Sequence, residues 1–194
     1  MNRPLTIFGL AGSLRKESYN RAALRAAQQL APEGVKIEIW DKLGELPLFN
    51  QDQEKSPPPI VTEMKAAIRA ADAVLLVTPE YNYSVPGVFK NAIDWASRPY
   101  GDSAWNGKPV AIMGASGGAL GTARAQYHLR KMFVFLNMYT VNQPEVMIAQ
   151  AQQRFDANGN LVDETSRKLI RQLLEELARL TRLHVSAAIE RKTA

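Results

Sequence analysis

Two hydrophobic periods alternate along the chain. Leu5 to Leu10 is a short apolar run of strand length that includes Gly9. Asn20 to Leu30 is rich in alanine and leucine and reads as a helix, stopping at Ala31-Pro32-Glu33-Gly34. Val35 to Trp40 sets Val35, Ile37 and Ile39 against Lys36 and Glu38, the pattern of a strand with one exposed face. Residues 41–59 form a long loop ending in three prolines, expected at the rim of a functional site. Ile60 to Ala71 is helical. Ala73 to Thr78 is apolar almost throughout, as a strand buried on both faces should be. Pro86 then opens a helix to about Ser97. Val110 to Ala115 is a second buried strand, Gly121 to Leu136 a long helix, and Met138 to Val141 a short strand. The Asn158-Gly159 turn, between Phe155 and Leu161, predicts a small hairpin. Asp163 to about Arg191 is a long amphipathic helix with Leu169, Leu173, Leu177 and Leu180 on one face. Five strand-plus-helix units of this kind predict an α/β fold: a parallel, doubly wound sheet with helices on both faces.

The 194 residues are read as one domain, 1–194, large enough to bury a core without covalent staples. There is no cysteine, which excludes disulfides, thiolate catalysis and cysteine-held clusters. The two histidines, His128 and His184, are too few for a histidine-rich metal site. No run approaches membrane-spanning length, and Met1-Asn2-Arg3-Pro4 leads directly into an apolar run, which reads as a first strand rather than a signal peptide. These features fit a cytoplasmic protein. The net charge of +5 raises the question of nucleic acid, but the cations are dispersed, many of them among acids on the last helix. No nucleic-acid partner is therefore expected.

In open α/β sheets ligands bind beyond the carboxyl ends of the strands. Three loops there carry unusual chemistry. Gly12-Ser13-Leu14-Arg15-Lys16-Glu17-Ser18-Tyr19-Asn20 gathers hydroxyls, an amide and a cation at a helix N-terminus, which is the chemistry of a phosphate site. It is neither a Walker loop nor a dinucleotide fingerprint. A plain helix cap by Ser18 or Asn20 is the alternative. Thr78 to Pro86 crowds Glu80, Tyr81, Asn82 and Tyr83 at a strand tip, which suits a flat heteroaromatic ring or an ordinary turn. Gly114-Ala115-Ser116-Gly117-Gly118 lets backbone approach a ligand closely, or simply makes a flexible turn.

The segments GSLRKESYN, PEYNYSVPGVFKNAIDWASRP and GASGGALGTARAQYHLRKMFVFLN resemble those of the NADPH-dependent FMN reductase family, in its quinone and chromate reductase branch. The resemblance implies a flavodoxin-like fold with strand order 2-1-3-4-5, bound FMN, NADPH or NADH as electron donor, and a homodimer or homotetramer. It places Ser13, Arg15, Ser18 and Asn20 on the FMN phosphate with Tyr19 close by. Pro79, Glu80, Tyr81, Asn82 and Tyr83 would border the isoalloxazine, with Ser116 and Gly117 on its far side. The expected reaction is a ping-pong transfer from NAD(P)H through FMN N5 to a small-molecule acceptor such as a quinone or chromate, without a side-chain nucleophile.

Two rivals share features of the sequence. Gly114-Ala115-Ser116-Gly117-Gly118 matches the Gly-x-Ser-x-Gly nucleophile elbow of serine hydrolases, with Ser116 as nucleophile. It lacks a well-placed histidine, since His128 and His184 both fall inside predicted helices. A flavodoxin-type electron carrier shares the fold, but such carriers are typically acidic. The apolar residues Met132, Phe133, Phe135 and Leu136 read as core.

Overall fold

The computed structural model describes residues 3–193, with side chains up to residue 186. Its strands are β1 (Leu5–Ala11), β2 (Val35–Ile39), β3 (Ala73–Val77), β4 (Pro109–Ala115), β5 (Tyr139–Thr140) and β6 (Val146–Ile148). The helices are α1 (Tyr19–Gln29), α2 (Pro59–Ala70), α3 (Gly87–Ala96), α4 (Ala123–Phe135) and α5 (Glu164–Thr193). The sheet order is β2-β1-β3-β4-β5 and its ladders are parallel.

The side-chain period of two sorts each central strand between two cores. Phe8, Leu10, Val74, Leu76, Val110 and Ile112 face α2, α3 and α4, where Met64, Ile68, Phe89, Ile93, Leu129 and Phe133 meet them. Ile7, Leu75, Val77, Ala111 and Met113 face the other way, onto Ala23, Leu24 and Ala27 of α1 and Leu173, Leu174 and Leu177 of α5. The alanines of α1 let that helix lie close to the strands. Such burial on both faces is why β3 and β4 carry no polar side chain.

Several details differ from the sequence pattern. The fifth position of the sheet is divided, so there are six strands rather than five. β5 pairs with the start of β4 at Pro109 and Val110, and β6 with its end at Met113 to Ala115. Pro144 lies between them and has no N–H to donate to a ladder. Pro86 stands just outside α3 as its N-cap rather than in its first turn. Phe133 and Leu136 are core, but Phe135 is exposed.

The 41–59 segment is less loose than its composition suggests. Leu43 and Leu46 are buried in the core beside α3. Pro47 O accepts from Asn91 Nδ2 at 2.9 Å and from Trp95 Nε1 at 2.8 Å, and Phe49 N donates to Asn91 Oδ1 at 2.7 Å. Gly44 packs on Leu14 of the first loop, so the segment does border the carboxyl end of the sheet. The hairpin forms, with Phe155 bridging Leu161.

On α2, the buried Lys65 donates to Arg98 O and, at 2.9 Å, to Asp102 Oδ2, which Arg69 also holds through its second oxygen at 2.6 Å. The Lys65 hydrogen bond, followed by that of Arg69, keeps the Asp102 carboxyl below the ordinary carboxylate range. A carboxylate with a lowered folded pKa stabilises fully above its unfolded pKa and loses that contribution as pH falls through the folded value. We therefore predict that Asp102→Asn lowers the urea midpoint at pH 7 and that the gap to wild type closes at acid pH. A gap independent of pH would contradict this role.

Candidate functional site

The first loop leaves β1 with Gly12 N donating to Val77 O of β3 at 2.8 Å. Ser18 then caps α1, its Oγ accepting from Asn20 N at 3.2 Å and Arg21 N at 3.3 Å. The cap expected as an alternative is thus present, yet it uses only the acceptor side of that hydroxyl; its proton remains free to donate. Ser13 is buried beside it, and its Oγ accepts from Arg15 N at 3.4 Å. Among the described residues, the backbone N–H groups of Lys16, Glu17 and Tyr19 meet no acceptor. Arg15 is exposed, donates to Glu17 O at 2.6 Å and lies 5.5 Å from the centre of the Tyr19 ring. Unpaired N–H groups, two hydroxyl protons and a guanidinium at one helix N-terminus are a donor set for a dianion.

Asn20 has a different position from its neighbours. Its side chain is buried, donating through Nδ2 to Ala115 O and accepting at Oδ1 from Ala115 N, both at 2.8 Å. Both ends of the amide are occupied by the tip of β4. Asn20 therefore fixes the first loop against the third instead of presenting a free donor.

The second loop follows β3. Thr78 Oγ1 donates to Pro79 O at 2.7 Å, and Pro79 is buried. Tyr81 and Ser84 exchange backbone hydrogen bonds, both at 2.9 Å, around a two-residue turn of Asn82 (φ 49) and Tyr83 (φ 67). Positive φ at both central positions is the hairpin turn usually built from Asn-Gly. Tyrosine in place of glycine stores local strain and projects its ring outward. Tyr81 and Tyr83 are 52% and 67% exposed, a large aromatic area to leave open at a strand tip.

Glu80 turns away from that surface. Its carboxylate accepts from Arg124 N at 2.9 Å and Ala125 N at 3.2 Å and forms an ion pair with the Arg124 side chain. α4 needs this partner, because its N-cap Thr122 is left-handed (φ 74) and its side chain makes no cap. A carboxylate at the positive end of the helix supplies it. The Glu80 hydrogen bond raises the Arg124 pKa further above its ordinary value. The guanidinium lies 3.6 Å from the centre of the Tyr83 ring and holds the strained turn. Arg124 was missed in the sequence reading. Its signal was a cation in the first turn of a helix, where charge is unfavourable without an acid partner.

The third loop is stitched to the chain after β6. Ser116 N donates to Ile148 O at 2.9 Å, Ala151 N to Ser116 O and Gln150 N to Gly118 O, both at 3.0 Å. Gly117 and Gly118 are exposed, so their backbone is approachable. Gly114 is constrained: a β-carbon there would stand 2.0 Å from Thr122 Oγ1 and 2.4 Å from Thr78 O. Close passage of three chain segments requires glycine at that point.

No histidine serves Ser116. Its Oγ accepts from Gly118 N at 3.1 Å. His128 Nδ1 pairs with Ser84 Oγ at 2.9 Å. His184 stacks on Tyr139 at the amino end of the sheet. The hydrolase arrangement is therefore absent among the described residues. No helix there is long and apolar enough to cross a membrane, and no cluster of His, Asp or Glu is placed to hold a metal.

A loop of free donors at β1, open aromatic rings at β3 and approachable backbone at β4 thus stand together at the carboxyl end of a doubly wound sheet. The model of the NADPH-dependent FMN reductase family matches residues 5–153. An NAD(P)H-dependent FMN reductase of Pseudomonas aeruginosa is 53% identical over 91% of this chain and 95% of its own. A 2-hydroxy-1,4-benzoquinone reductase of a Burkholderia species is 47% identical over 90% and 94%. Among solved structures, the flavoenzyme FerB, an NAD(P)H:(acceptor) oxidoreductase of Paracoccus denitrificans, has a TM-score of 0.84 at 36% identity, covering 93% of this chain and 98% of that one. The chain belongs to the NADPH-dependent FMN reductase family. It is an NAD(P)H-dependent oxidoreductase that works with FMN.

Two substitutions test the clamps. Asn20→Ala leaves a buried N–H and C=O of Ala115 unpaired and should cost about 1–3 kcal/mol. Glu80→Ala uncaps α4 and should cost about 2 kcal/mol. Urea unfolding measures both, and losses within error of zero would show that neither bond orders the loops.

Proposed function

We propose that the protein, as one domain over 1–194, passes electrons from NADPH or NADH to quinones in a ping-pong sequence, with chromate a further acceptor of the same site. The observation that carries this reading is the set of unpaired donors at the start of α1, facing the same end of the sheet as the exposed tyrosines of the second loop. FMN supplies the redox chemistry when bound, accepting a hydride and releasing electrons to an acceptor. The residues bind and orient it. Ser13, Arg15 and Ser18 hold the phosphate together with the N–H groups of Lys16, Glu17 and Tyr19. Tyr19 flanks that loop, and Asn20 acts by fixing it to β4. Pro79, Tyr81, Asn82 and Tyr83 border one side of the ring system, and Glu80 sets their position through Arg124. Ser116 and Gly117 border the other side, where backbone N–H groups stabilise negative charge that gathers on reduction.

No acid or nucleophile is required of the chain, and none of the three loops carries a histidine or cysteine. The fast exchange of two substrates at one place requires an open face, which the exposed Tyr81 and Tyr83 fit. A flavodoxin-type carrier would use the same fold, but its typical acidity is opposite to the +5 charge here. We further propose a cytoplasmic homodimer or homotetramer. Tyr127, Val134 and Phe135, apolar and exposed on α4, support a self-contact.

Ser13→Ala and Arg15→Ala should each weaken FMN binding about ten- to a hundredfold, the loss of one or two charge-assisted hydrogen bonds, measured by fluorescence titration. Initial rates with a benzoquinone at several NADPH concentrations should give parallel double-reciprocal lines. Intersecting lines would replace the ping-pong sequence with a ternary complex.

A further inference from the structure

Of the two histidines, His184 lies at the amino end of the sheet and His128 beside the second loop. His128 is half-buried on α4, and its Nδ1 stands 2.9 Å from Ser84 Oγ. The two groups satisfy each other whichever of them carries the shared proton. Arg124 is four residues earlier on the same helix, so the two side chains leave one face of α4 on successive turns. Both reach the second loop. Arg124 takes Glu80 and the Tyr83 ring, and His128 takes Ser84, just beyond the turn.

The turn needs such holding. Its central residues, Asn82 (φ 49) and Tyr83 (φ 67), are left-handed, a conformation that is unfavourable for a side chain as large as tyrosine. Two backbone bonds close the turn, and both join Tyr81 to Ser84. On the near leg, the Glu80 carboxylate is pinned to Arg124 N and Ala125 N. On the far leg the chain enters the core at Val85, which is buried. The span between these anchors is Tyr81 to Ser84, and it carries both exposed rings. Ser84 is an end of both closing bonds, and its hydroxyl is where the far leg meets α4.

We propose that His128 is a positioning residue: by holding Ser84 it fixes the outward placement of the Tyr81 and Tyr83 rings, and so sets how well a flat aromatic acceptor such as a quinone is taken between them and the flavin. The proposal rests on the reading of the protein as an FMN-dependent reductase whose open face those rings border. An aromatic wall favours a planar acceptor most when it is ordered beforehand, because a mobile ring must give up its freedom at each encounter. His128 acts through Ser84 and is assigned no contact with acceptor or flavin.

Amide hydrogen exchange read by NMR, on the FMN-loaded protein with no electron donor, measures the turn directly. His128→Ala should speed exchange of the Tyr81 and Ser84 amides about two- to tenfold, the weight of one hydrogen bond. His128→Asn, whose amide can occupy the Nδ1 position, should restore slow exchange, and His128→Gln, whose amide falls at Nε2, should not. Ser84→Ala gives the same readout if the His128 variants fold poorly, and adding His128→Ala to it should change nothing further. With a benzoquinone as acceptor, His128→Ala should lower kcat/KM for the quinone by a similar factor, through KM more than kcat. Unchanged exchange at Tyr81 and Ser84, or a loss that asparagine does not restore, would overturn the clamp. Faster exchange with an unchanged KM for the quinone would overturn its part in acceptor binding. If neither NADPH nor NADH reduces the flavin, the functional reading has failed, and the exchange comparison still decides the clamp.

Discussion

The hydrogen-bonded pair between the Asn20 amide and the backbone of Ala115 is the contact on which the site depends. It joins residues far apart in sequence, the start of α1 and the tip of β4, and both partners are buried. A buried amide with both ends satisfied by one peptide unit tolerates little displacement, because any shift leaves polar groups unpaired in low dielectric. Glu80 does the corresponding work between the second loop and α4. The loops that would meet a ligand are therefore held by side chains that point away from it. This leaves hydroxyls, N–H groups and aromatic faces free while their spacing stays fixed, which is how binding energy can be realised without reorganisation on each turnover.

That division explains the chain's composition. With no cysteine it has no thiolate nucleophile to offer, and none is needed where a flavin carries the electrons. What remains for the protein is a rigid frame with an open mouth. The strained turn at Asn82 and Tyr83 fits this requirement: strain is tolerated there because Arg124 lies on the Tyr83 ring and the Tyr81–Ser84 bonds close the turn.

Most of the frame was legible in the sequence because it follows from hydrophobic period alone. The apolar runs at 73–77 and 110–115 read as central strands, and the leucine stripe at 169–180 as a buried helix face. The divided fifth position was not legible. β6 has three residues, and its pairing with Met113 to Ala115 depends on where β4 ends rather than on a local pattern. The loops were recognisable by residue type, but residue type does not say which polar group faces a ligand. Asn20 and Glu80 are the instructive cases. Each sits among candidate contacts, and each spends its polar atoms on a partner more than 40 positions away in sequence. The long-loop composition of 41–59 similarly hid the anchoring of Pro47 by Asn91 and Trp95, since both donors lie on a different element.

The most direct test is the visible spectrum of the purified protein, recorded without oxygen before and after addition of NADPH and then, on a fresh sample, NADH. Flavin absorption should bleach within seconds with at least one donor and no partner protein present. A flavin spectrum that resists both donors, or a colourless protein that does not take up added FMN, would contradict it.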